Sequence, residues 1–260
     1  MSLEDQPARP VSEYREFMAP APLATNFLCL WSQTISGLRG VCEHRVLPDG
    51  CIDIVFINEE PPLLVGPWTV SFVAQLPARS IITGARLHPG RAACLLGIPA
   101  SEMLNQSVPI AAVKGAVQNI RFEKRIQQPN AAARRRALAQ ALLAAVEPAV
   151  LSDHAVLAGI QWLSRHPQSR IEQLSRWIGI SERQLHRRFS AAIGYGPKMF
   201  QSVLRFQRLL RARRETGAWQ RLADLAAIAG YADQSHMTRD VQRFANLRPT
   251  ELLRSADSTL

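Results

Sequence analysis

The sequence has no long apolar run. None of its uninterrupted apolar stretches approaches the roughly 20 residues that a membrane-spanning helix needs. The first residues include Glu4, Asp5 and scattered prolines rather than a basic start followed by an apolar core, so no secretory signal peptide is expected. We therefore exclude an integral membrane protein on the sequence, and we expect a cytoplasmic one.

Cysteine is scarce and lies only in the first half of the chain. The four cysteines, none of them in a C-x-x-C pair, are Cys29, Cys42, Cys51 and Cys94. Their apolar surroundings predict buried free thiols in a reducing cytosol. An alternative is a metal site built from Cys42, His44, Cys51, His88 and Cys94. The spacing fits no metal-ligand pattern, and no Ser-His-Asp set or Gly-rich phosphate loop is readable. We therefore predict no metal, no cofactor and no catalytic residue.

Lysine is nearly absent, at three of the 31 basic residues. Arginine suits bidentate contacts with phosphate and guanine, although genome composition would produce the same bias. The charge is uneven, because residues 155–260 hold 17 Lys/Arg and 8 Asp/Glu, whereas residues 1–154 hold 14 and 13. Most of the net charge of +10 therefore belongs to the second region. A localised basic region points to a polyanion, and no Lys-rich amphipathic anchor indicates a membrane surface.

One pattern occurs twice between residues 171 and 253. The first copy contains Leu174, Gly179, Leu185, Arg187, Phe189 and Pro197, and the second contains Leu225, Gly230, Met237, Arg239, Val241 and Pro249. From the pair Leu185 and Met237 onward, equivalent residues of the two copies are 52 positions apart in the chain. Gly179 and Gly230 are 51 positions apart. A repeat of this length indicates a duplicated supersecondary structure.

Each copy predicts a helix, a tight turn and a second helix. Gly179 and Gly230 are placed to end the first helices in a left-handed conformation. Ser181 and Asp233 are the expected N-caps of the second helices, and Gln184 completes a capping box with Ser181. At about 100° per residue, each second helix is apolar on one side and rich in Arg, Gln, Ser and Thr on the other. Those side chains match base edges in the major groove, whereas a plain helical bundle with a solvated charged face is the alternative.

This region resembles the AraC/XylS family of bacterial transcription regulators. The matching text is GISERQLHRRF, GYGP and LADLAAIAGYADQSHMTRDVQRFANLRPTEL, within roughly residues 153–254. The resemblance implies two helix-turn-helix units joined by a long helix, here residues 197–214. The sequence departs from the family at Val241, usually Phe, and at Asn246, usually Gly. Asn tolerates a left-handed turn, and Phe244 is placed to offset the lost volume at Val241.

The resemblance also implies DNA contacts, position by position. The expected base-reading residues are Arg183, His186 and Arg187 in the first unit and Gln234, Ser235, Thr238 and Arg239 in the second. The expected phosphate contacts are Ser181, Arg188, Lys198 and Arg243. Helix-turn-helix proteins present the N-terminal part of the second helix to the bases, so two insertions on one face of the DNA would lie about 34 Å apart.

The first half predicts short strands separated by turn residues. We expect a poorly ordered lead-in over residues 1–21, and strands at 26–31, 42–47, 51–57, 68–76 and 81–87. Short helical turns are expected at 91–96 and 99–104. The text HRVLPDGCIDIVF and GARLHPGRAACLLGIPASEM resembles a domain of unknown function that is found fused to AraC-type DNA-binding domains. That resemblance implies a β-rich, cupin-like sensor or assembly module.

Two features of this half allow alternative interpretations. Asp53 lies within an apolar run, so it is either a structural carboxylate bonded to the backbone or a polar anchor for an effector. Residues 131–146 predict a bridging helix whose stripe of Leu138, Leu142 and Val146 is either intramolecular core or a dimer seam. The Arg run at 134–136 is expected to form a solvated face.

The expected fold is α+β, with a β-rich barrel or sandwich followed by an all-α domain with two helix-turn-helix units. The expected divisions are a sensor or assembly domain at 1–115, a helical linker at 116–152 and an AraC-type DNA-binding domain at 153–260. The expected function is a sequence-specific transcription regulator, an activator by family resemblance. Expected partners are double-stranded DNA, RNA polymerase, a small-molecule effector and a second copy in a homodimer. The alternatives are a cupin-like metal-binding enzyme with an accessory nucleic-acid domain, and an architectural DNA binder without regulatory input.

Overall fold

Two antiparallel sheets build the N-terminal domain. The computed structural model describes residues 11–37, 39–113, 130–145, 152–216 and 221–255. The strands are β1 Val11–Met18, β2 Phe27–Ser36, β3 Val41–Val46, β4 Asp53–Ile57, β5 Leu63–Val65, β6 Phe72–Pro77, β7 Ile81–Leu87 and β8 Ser107–Pro109. Six strands form one sheet in the order β1-β2-β7-β4-β5-β8, and β3 pairs with β6 in a second sheet. The expected β-rich domain is confirmed.

Strand β1 corrects the expectation of a disordered lead-in. It pairs with β2 along its whole length, from Val11 opposite Ser36 to Met18 opposite Cys29. It is an edge strand, and its alternating exposure leaves charged residues on the outer face. Such a strand needs apolar contacts on one side only. Its sequence is therefore rich in polar residues and was not recognised as a strand. Residues 1–10 lie outside the described part of the chain.

Each face of the larger sheet has its own core. One face packs Leu30, Ile54 and Leu87 against α1 Ala92–Leu96 and α2 Ala131–Ala145. On the other face, Trp31, Val55 and Ile82 are buried together with Leu76 of β6. Gly84 lies under the Trp31 ring, where an added Cβ would come within 2.3 Å of the indole. The glycine in the middle of β7 is therefore explained by a bulky neighbour on β2.

Helix α2 belongs to the first core. Leu138 and Leu142 are fully buried, and α2 packs across β2 and β7. The core interpretation of the stripe is confirmed for these two residues, and the dimer-seam interpretation is wrong for them. Val146 lies outside the described residues.

The expected solvated face at residues 134–136 is only partly correct. Arg134 is 7% exposed and donates from Nη1 to Asn58 O at 2.7 Å and to Ile81 O at 3.4 Å. The Arg135 guanidinium lies 3.4 Å from the centre of the Phe17 ring. Only Arg136 is exposed. Two of the three arginines therefore fasten α2 to the sheet.

The described residues from 152 onward form seven helices, and the two predicted helix-turn-helix units are both present. Their bounds are α3 His154–Arg165, α4 Ile171–Ile178, α5 Glu182–Ile193, α6 Pro197–Thr216, α7 Leu222–Ala229, α8 Gln234–Ala245 and α9 Pro249–Ser255. The long helix expected at 197–214 is α6. One apolar core includes side chains from both units. Within the described residues, no helix has the length and apolarity to cross a membrane.

The position of α2 is testable with two leucines on that helix. Leu138 is fully buried and Leu143 is 43% exposed. Leu138→Ala leaves a cavity under the sheet and should lower the free energy of unfolding by about 2–5 kcal/mol. Leu143→Ala is the matched control and should change it by less than about 0.5 kcal/mol. Urea unfolding followed by circular dichroism measures both. Equal effects, or a loss for Leu138→Ala that varies with protein concentration, would contradict the packing described here.

Candidate nucleic-acid interface

Local capping positions the first recognition helix, α5. Gly179 ends α4 with φ +79°, and Ser181 begins α5 by accepting a bond from Gln184 N. Gln184 Oε1 in turn accepts from Ser181 N at 3.0 Å, which completes the predicted capping box. Leu185 and Phe189 are fully buried. The apolar face of α5 therefore holds the helix, and its other face is left open.

The second recognition helix, α8, is built in the same way. Asp233 accepts a bond from His236 N at 2.6 Å, and Gly230 ends α7 with φ +86°. Val241 and Phe244 are fully buried, and the Phe244 ring lies 5.2 Å from that of Phe206. Both side chains belong to the core that the two units share.

The left-handed turn expected after α8 is also present. Asn246 lies at its C-cap with φ +53° and ψ +37°, and its backbone N–H donates to Gln242 O. The conformation is the one that glycine favours and that asparagine also tolerates. The departure from the family at Asn246 therefore preserves the turn.

All seven predicted base-reading side chains are exposed. They are Arg183, His186, Arg187, Gln234, Ser235, Thr238 and Arg239. His186 lies against Gly196, where an added Cβ would come within 2.4 Å of the imidazole Cδ2. Its Nδ1 is 3.4 Å from Ser190 Oγ. His186 is thus held in place at the junction of α5 and α6, while Arg187 beside it extends from the open face.

The four predicted phosphate contacts occupy different settings. Ser181 is the N-cap of α5, and Lys198 is exposed in the first turn of α6. Arg243 is exposed on α8. Arg188 Nη1 lies 3.3 Å from Asp153 Oδ1, the carboxylate that caps α3. Arg188 is therefore paired within the protein and the Ser181 hydroxyl is bonded to Gln184, whereas the Lys198 and Arg243 side chains are exposed.

Two surface clefts lie at the recognition helices, the first lined by residues of both α5 and α8 and the second by α8 and the turn before it. A cleft of about 480 Å³ is lined by Ile171, Glu182, His186, Gly196, Pro197, Lys198, Met199, Ser202 and Arg243. A second, of about 410 Å³, is lined by Ala232, Asp233, His236, Arg239, Asp240 and Arg243. Arg243 borders both, so the N-terminal half of α5 and the open face of α8 line adjoining clefts. Of the predicted contacts, His186, Lys198, Arg239 and Arg243 line these clefts.

Asp240 is a residue of this surface that sequence reasoning missed. It is 8% exposed, and its carboxylate lies 3.8 Å from Arg205 Nη2 and 3.9 Å from His236 Nε2. Burial raises the pKa of the Asp240 carboxyl, whereas Arg205 and His236 act to lower it. The sequence did contain a signal for this residue. Asp240 is the equivalent of Arg188 in the second copy of the repeat, and it carries the opposite charge.

The N-terminal domain contacts the C-terminal end of α8. Ser71 donates from its backbone N to Phe244 O at 2.8 Å and from Oγ to Ala245 O at 3.1 Å. Arg45 Nη1 also donates to Ala245 O, at 3.1 Å. The last carbonyl groups of a helix have no donors within the helix. The N-terminal domain therefore supplies the missing donors of the second recognition helix.

The same domain packs against α5 and α6. Helix α1 and the 3₁₀ turn Ala100–Met103 lie against α5. Gly194, which ends α5, is so close to Pro67 that a Cβ would come within 2.6 Å of its ring. A Cβ on Gly50 would meet the Phe200 ring of α6 at 2.9 Å. The domain thus touches both recognition helices and the helix between them.

Asp53 lies at the centre of a polar network between the two sheets of the N-terminal domain. Its carboxylate accepts from Trp31 Nε1 at 3.1 Å and from Arg86 Nε at 3.2 Å. Arg86 also pairs with Glu16 at 3.2 Å and with Asp49 at 3.4 Å. Burial raises the pKa of Asp53, and the Arg86 guanidinium opposes that change. The partners of Asp53 are side chains, not the backbone groups that the structural alternative expected.

The cysteines and histidines of this domain do not converge. Cys29 and Cys51 are buried free thiols, and burial raises the pKa of Cys29 to about 12. Cys94 donates to Arg91 O at 2.9 Å, and His44 Nδ1 lies 3.1 Å from Gln33 Nε2. Across the described ranges, no three His, Cys, Asp or Glu side chains are grouped so that they could hold a metal ion.

Comparison with protein families divides the chain as the structure does. Residues 15–109 match a domain of unknown function (DUF6597), and residues 174–255 match a helix-turn-helix domain. A comparison with curated proteins gave no match.

Several solved structures are similar to the chain. A probable AraC family transcriptional regulator from Rhodopseudomonas palustris CGA009 is 24% identical, with a TM-score of 0.35 over 40% of this chain and 98% of that one. ToxT from Vibrio cholerae O395 is 11% identical, with a TM-score of 0.44 over 83% and 97%. Unsaturated fatty acid bound wild-type ToxT from Vibrio cholerae strain SCE256 is 13% identical, with a TM-score of 0.42 over 88% and 95%.

The contact between the N-terminal domain and α8 gives a prediction for Arg45. Arg45→Ala removes a charged donor from the end of α8, which should cost about 1 kcal/mol locally. Hydrogen exchange of the last amides of α8 should then accelerate by ~5-fold relative to those of α5. Arg15→Ala, an exposed arginine on β1, is the matched control. No difference between the two variants would contradict the capping role.

Proposed function

We propose that this DNA-binding transcription regulator, whose C-terminal domain is a helix-turn-helix domain of the AraC type, inserts α5 and α8 into successive major grooves of one duplex. The observation that carries the proposal is the pair of clefts joined at Arg243, onto which both helices open. A major groove accepts one α-helix, and neighbouring grooves on one face are about 34 Å apart. Two helices on one surface suit that arrangement.

In this proposal Arg187 and Arg239 are equivalent readers. They occupy the same position in the repeat, and both are exposed. Each would bond in bidentate fashion to a guanine edge. The other proposed base contacts are Arg183 and His186 on α5 and Gln234, Ser235 and Thr238 on α8.

Phosphate contacts would fix the register of the two helices on the duplex. Ser181 and Lys198 lie at the starts of α5 and α6, where backbone N–H groups favour an anion. Arg243 lies where the two clefts join, so it would meet the backbone between the two grooves. Arg188 would have to exchange Asp153 for a phosphate. These contacts supply affinity that is sensitive to salt.

Regulation would pass through the N-terminal domain. We propose residues 1–115 as the sensor or assembly domain, 116–152 as the linker and 153–260 as the DNA-binding domain. Ser71 and Arg45 hold the end of α8, and α1 packs on α5, so a shift of this domain would move both helices. A homodimer and a contact with RNA polymerase that activates transcription are further proposals, made on the resemblance alone.

We also propose that the protein acts in the cytoplasm and is not an enzyme. The family match indicates a transcription regulator, and the competing function is a cupin-like metal-binding enzyme. Metal analysis of the purified protein distinguishes the two. One equivalent of tightly bound transition metal would favour the enzyme.

Arg239→Ala and Arg187→Ala test the reading role. Each should weaken binding to the specific site by roughly 1–3 kcal/mol and relax the preference at one base position, because a bidentate base contact is lost. Arg188→Ala should weaken specific and scrambled duplexes alike. Titration of labelled duplexes by fluorescence anisotropy measures both effects.

Arg211→Ala is the control for those titrations. It removes one exposed positive charge from α6, outside both recognition helices. It should preserve the ratio of specific to scrambled binding. If Arg239→Ala lowers the affinity for the specific and the scrambled duplex by the same factor, Arg239 does not read a base.

Asp53 is proposed as the anchor of a small-molecule effector. The carboxylates of Glu16, Asp49 and Asp53 surround the single guanidinium of Arg86, so negative charge is in excess. The site should therefore bind a ligand that carries an amine more tightly than one that carries a carboxylate. Octylamine should raise the melting temperature of the protein more than octanoate does, and Asp53→Asn should abolish the difference. Equal shifts in the wild type, or a difference that survives in Asp53→Asn, would leave Asp53 with a structural role only.

A further inference from the structure

Helix α6 carries polar side chains on a buried face. Gln201 is 5% exposed and Arg205 is 7% exposed, although both lie among apolar residues of the shared core. A buried guanidinium is costly unless it is paired and hydrogen-bonded. The partners of Arg205 therefore show what holds it there.

One side of Arg205 binds the first unit. Its Nη1 donates to Pro167 O at 3.0 Å, in the loop between α3 and α4. Gln201 Nε2 donates to Ser169 O in the same loop at 2.9 Å. Arg208 donates to Ser164 O near the end of α3. Helix α6 is thus bonded to carbonyl groups at the end of α3 and in the loop after it.

The other side of Arg205 faces the second unit. Its Nη2 lies 3.8 Å from Asp240 Oδ2 on α8, and its guanidinium carbon lies 5.6 Å from the centre of the Tyr231 ring. Pro167, whose carbonyl Arg205 binds, also touches the turn before α8. A Cβ on Gly230 would come within 2.9 Å of its ring.

Arg205 is therefore a bridge between the units. One guanidinium reaches a carbonyl of the first unit and a carboxylate of the second from a helix that belongs to both. The two nitrogens have different roles, because Nη1 donates to the carbonyl, whereas Nη2 donates to Ser202 Oγ at 2.9 Å on its own helix and faces the carboxylate as an ion pair at 3.8 Å. The bridge lies directly behind α8, one residue along the helix from the proposed reader Arg239.

We propose that Arg205 is a positioning residue that fixes the rotation and distance between the two recognition helices and so determines which half-site spacing the protein accepts. This inference rests on the proposed insertion of α5 and α8 into successive grooves. One added base pair shifts the second half-site by about 34° around the duplex, since a turn holds about 10.5 base pairs. A rigid pair of helices cannot follow that rotation, whereas a loosened pair can.

The test uses duplexes that vary only in spacing. The preferred site of the full-length protein is selected from a random pool, and one base pair is then inserted or removed between its halves. Wild type should lose at least ~10-fold in affinity on either change. Arg205→Met should bind the preferred duplex ~10-fold more weakly and discriminate among the three spacings by less than ~3-fold, because preorganisation is lost. Binding to a single half-site should be unchanged.

Two further variants separate positioning from folding. Gln201→Ala removes a tether to the first unit only, so it should keep the spacing preference of the wild type even if stability falls. Asp240→Asn keeps the shape of the side chain and removes its charge, so it should flatten the spacing profile as Arg205→Met does. Thermal melts show whether each variant is folded. If Arg205→Met does not fold, Asp240→Asn decides the question.

The outcomes distinguish this inference from the proposed function. If folded Arg205→Met and Asp240→Asn keep the sharp spacing preference, the positioning role is wrong and the two-groove function stands. If Gln201→Ala flattens the profile equally, general loosening of the core is responsible rather than the bridge. If the wild-type protein selects no duplex, the proposed function itself fails.

Discussion

The interface depends on burying one face of each recognition helix. Leu185 and Phe189 on α5, and Met237 and Val241 on α8, are fully buried in one shared core. A helix of 12 residues has little stability of its own in water, so this packing must hold it in place. Because the apolar face is fixed in the core, the arginines on the opposite face stay exposed.

The sequence predicted the helical half well because its signals are local. Caps, left-handed glycines at 179 and 230 and the apolar period all act within one turn of the residue concerned. Strand β1 was missed because an edge strand with charged residues has little apolar pattern of its own and is defined by its pairing with β2. Arg134 was misjudged for the same reason, since the carbonyl group of Asn58 that accepts its bond comes from a strand–turn region 76 residues away.

The candidate site shows the same division between local and long-range information. Exposure of the predicted readers followed from helical periodicity, and the structure places all of them on the surface. The capping of α8 by Ser71 and Arg45 could not be predicted, because it joins elements that are about 170 to 200 residues apart. Contacts at the N-terminal ends of the recognition helices were readable, whereas those at the C-terminal ends required coordinates.

The two units are duplicated in sequence but not in their attachments. At one repeat position the first unit has exposed Arg188 bound to Asp153, and the second has buried Asp240 beside Arg205. The first helix is thereby tied to α3 within its own unit, and the second is tied to the helix that joins the units. Both recognition helices contact the N-terminal domain and α6, but the contacts differ, because the domain packs on α5 through α1 and donates hydrogen bonds to the end of α8.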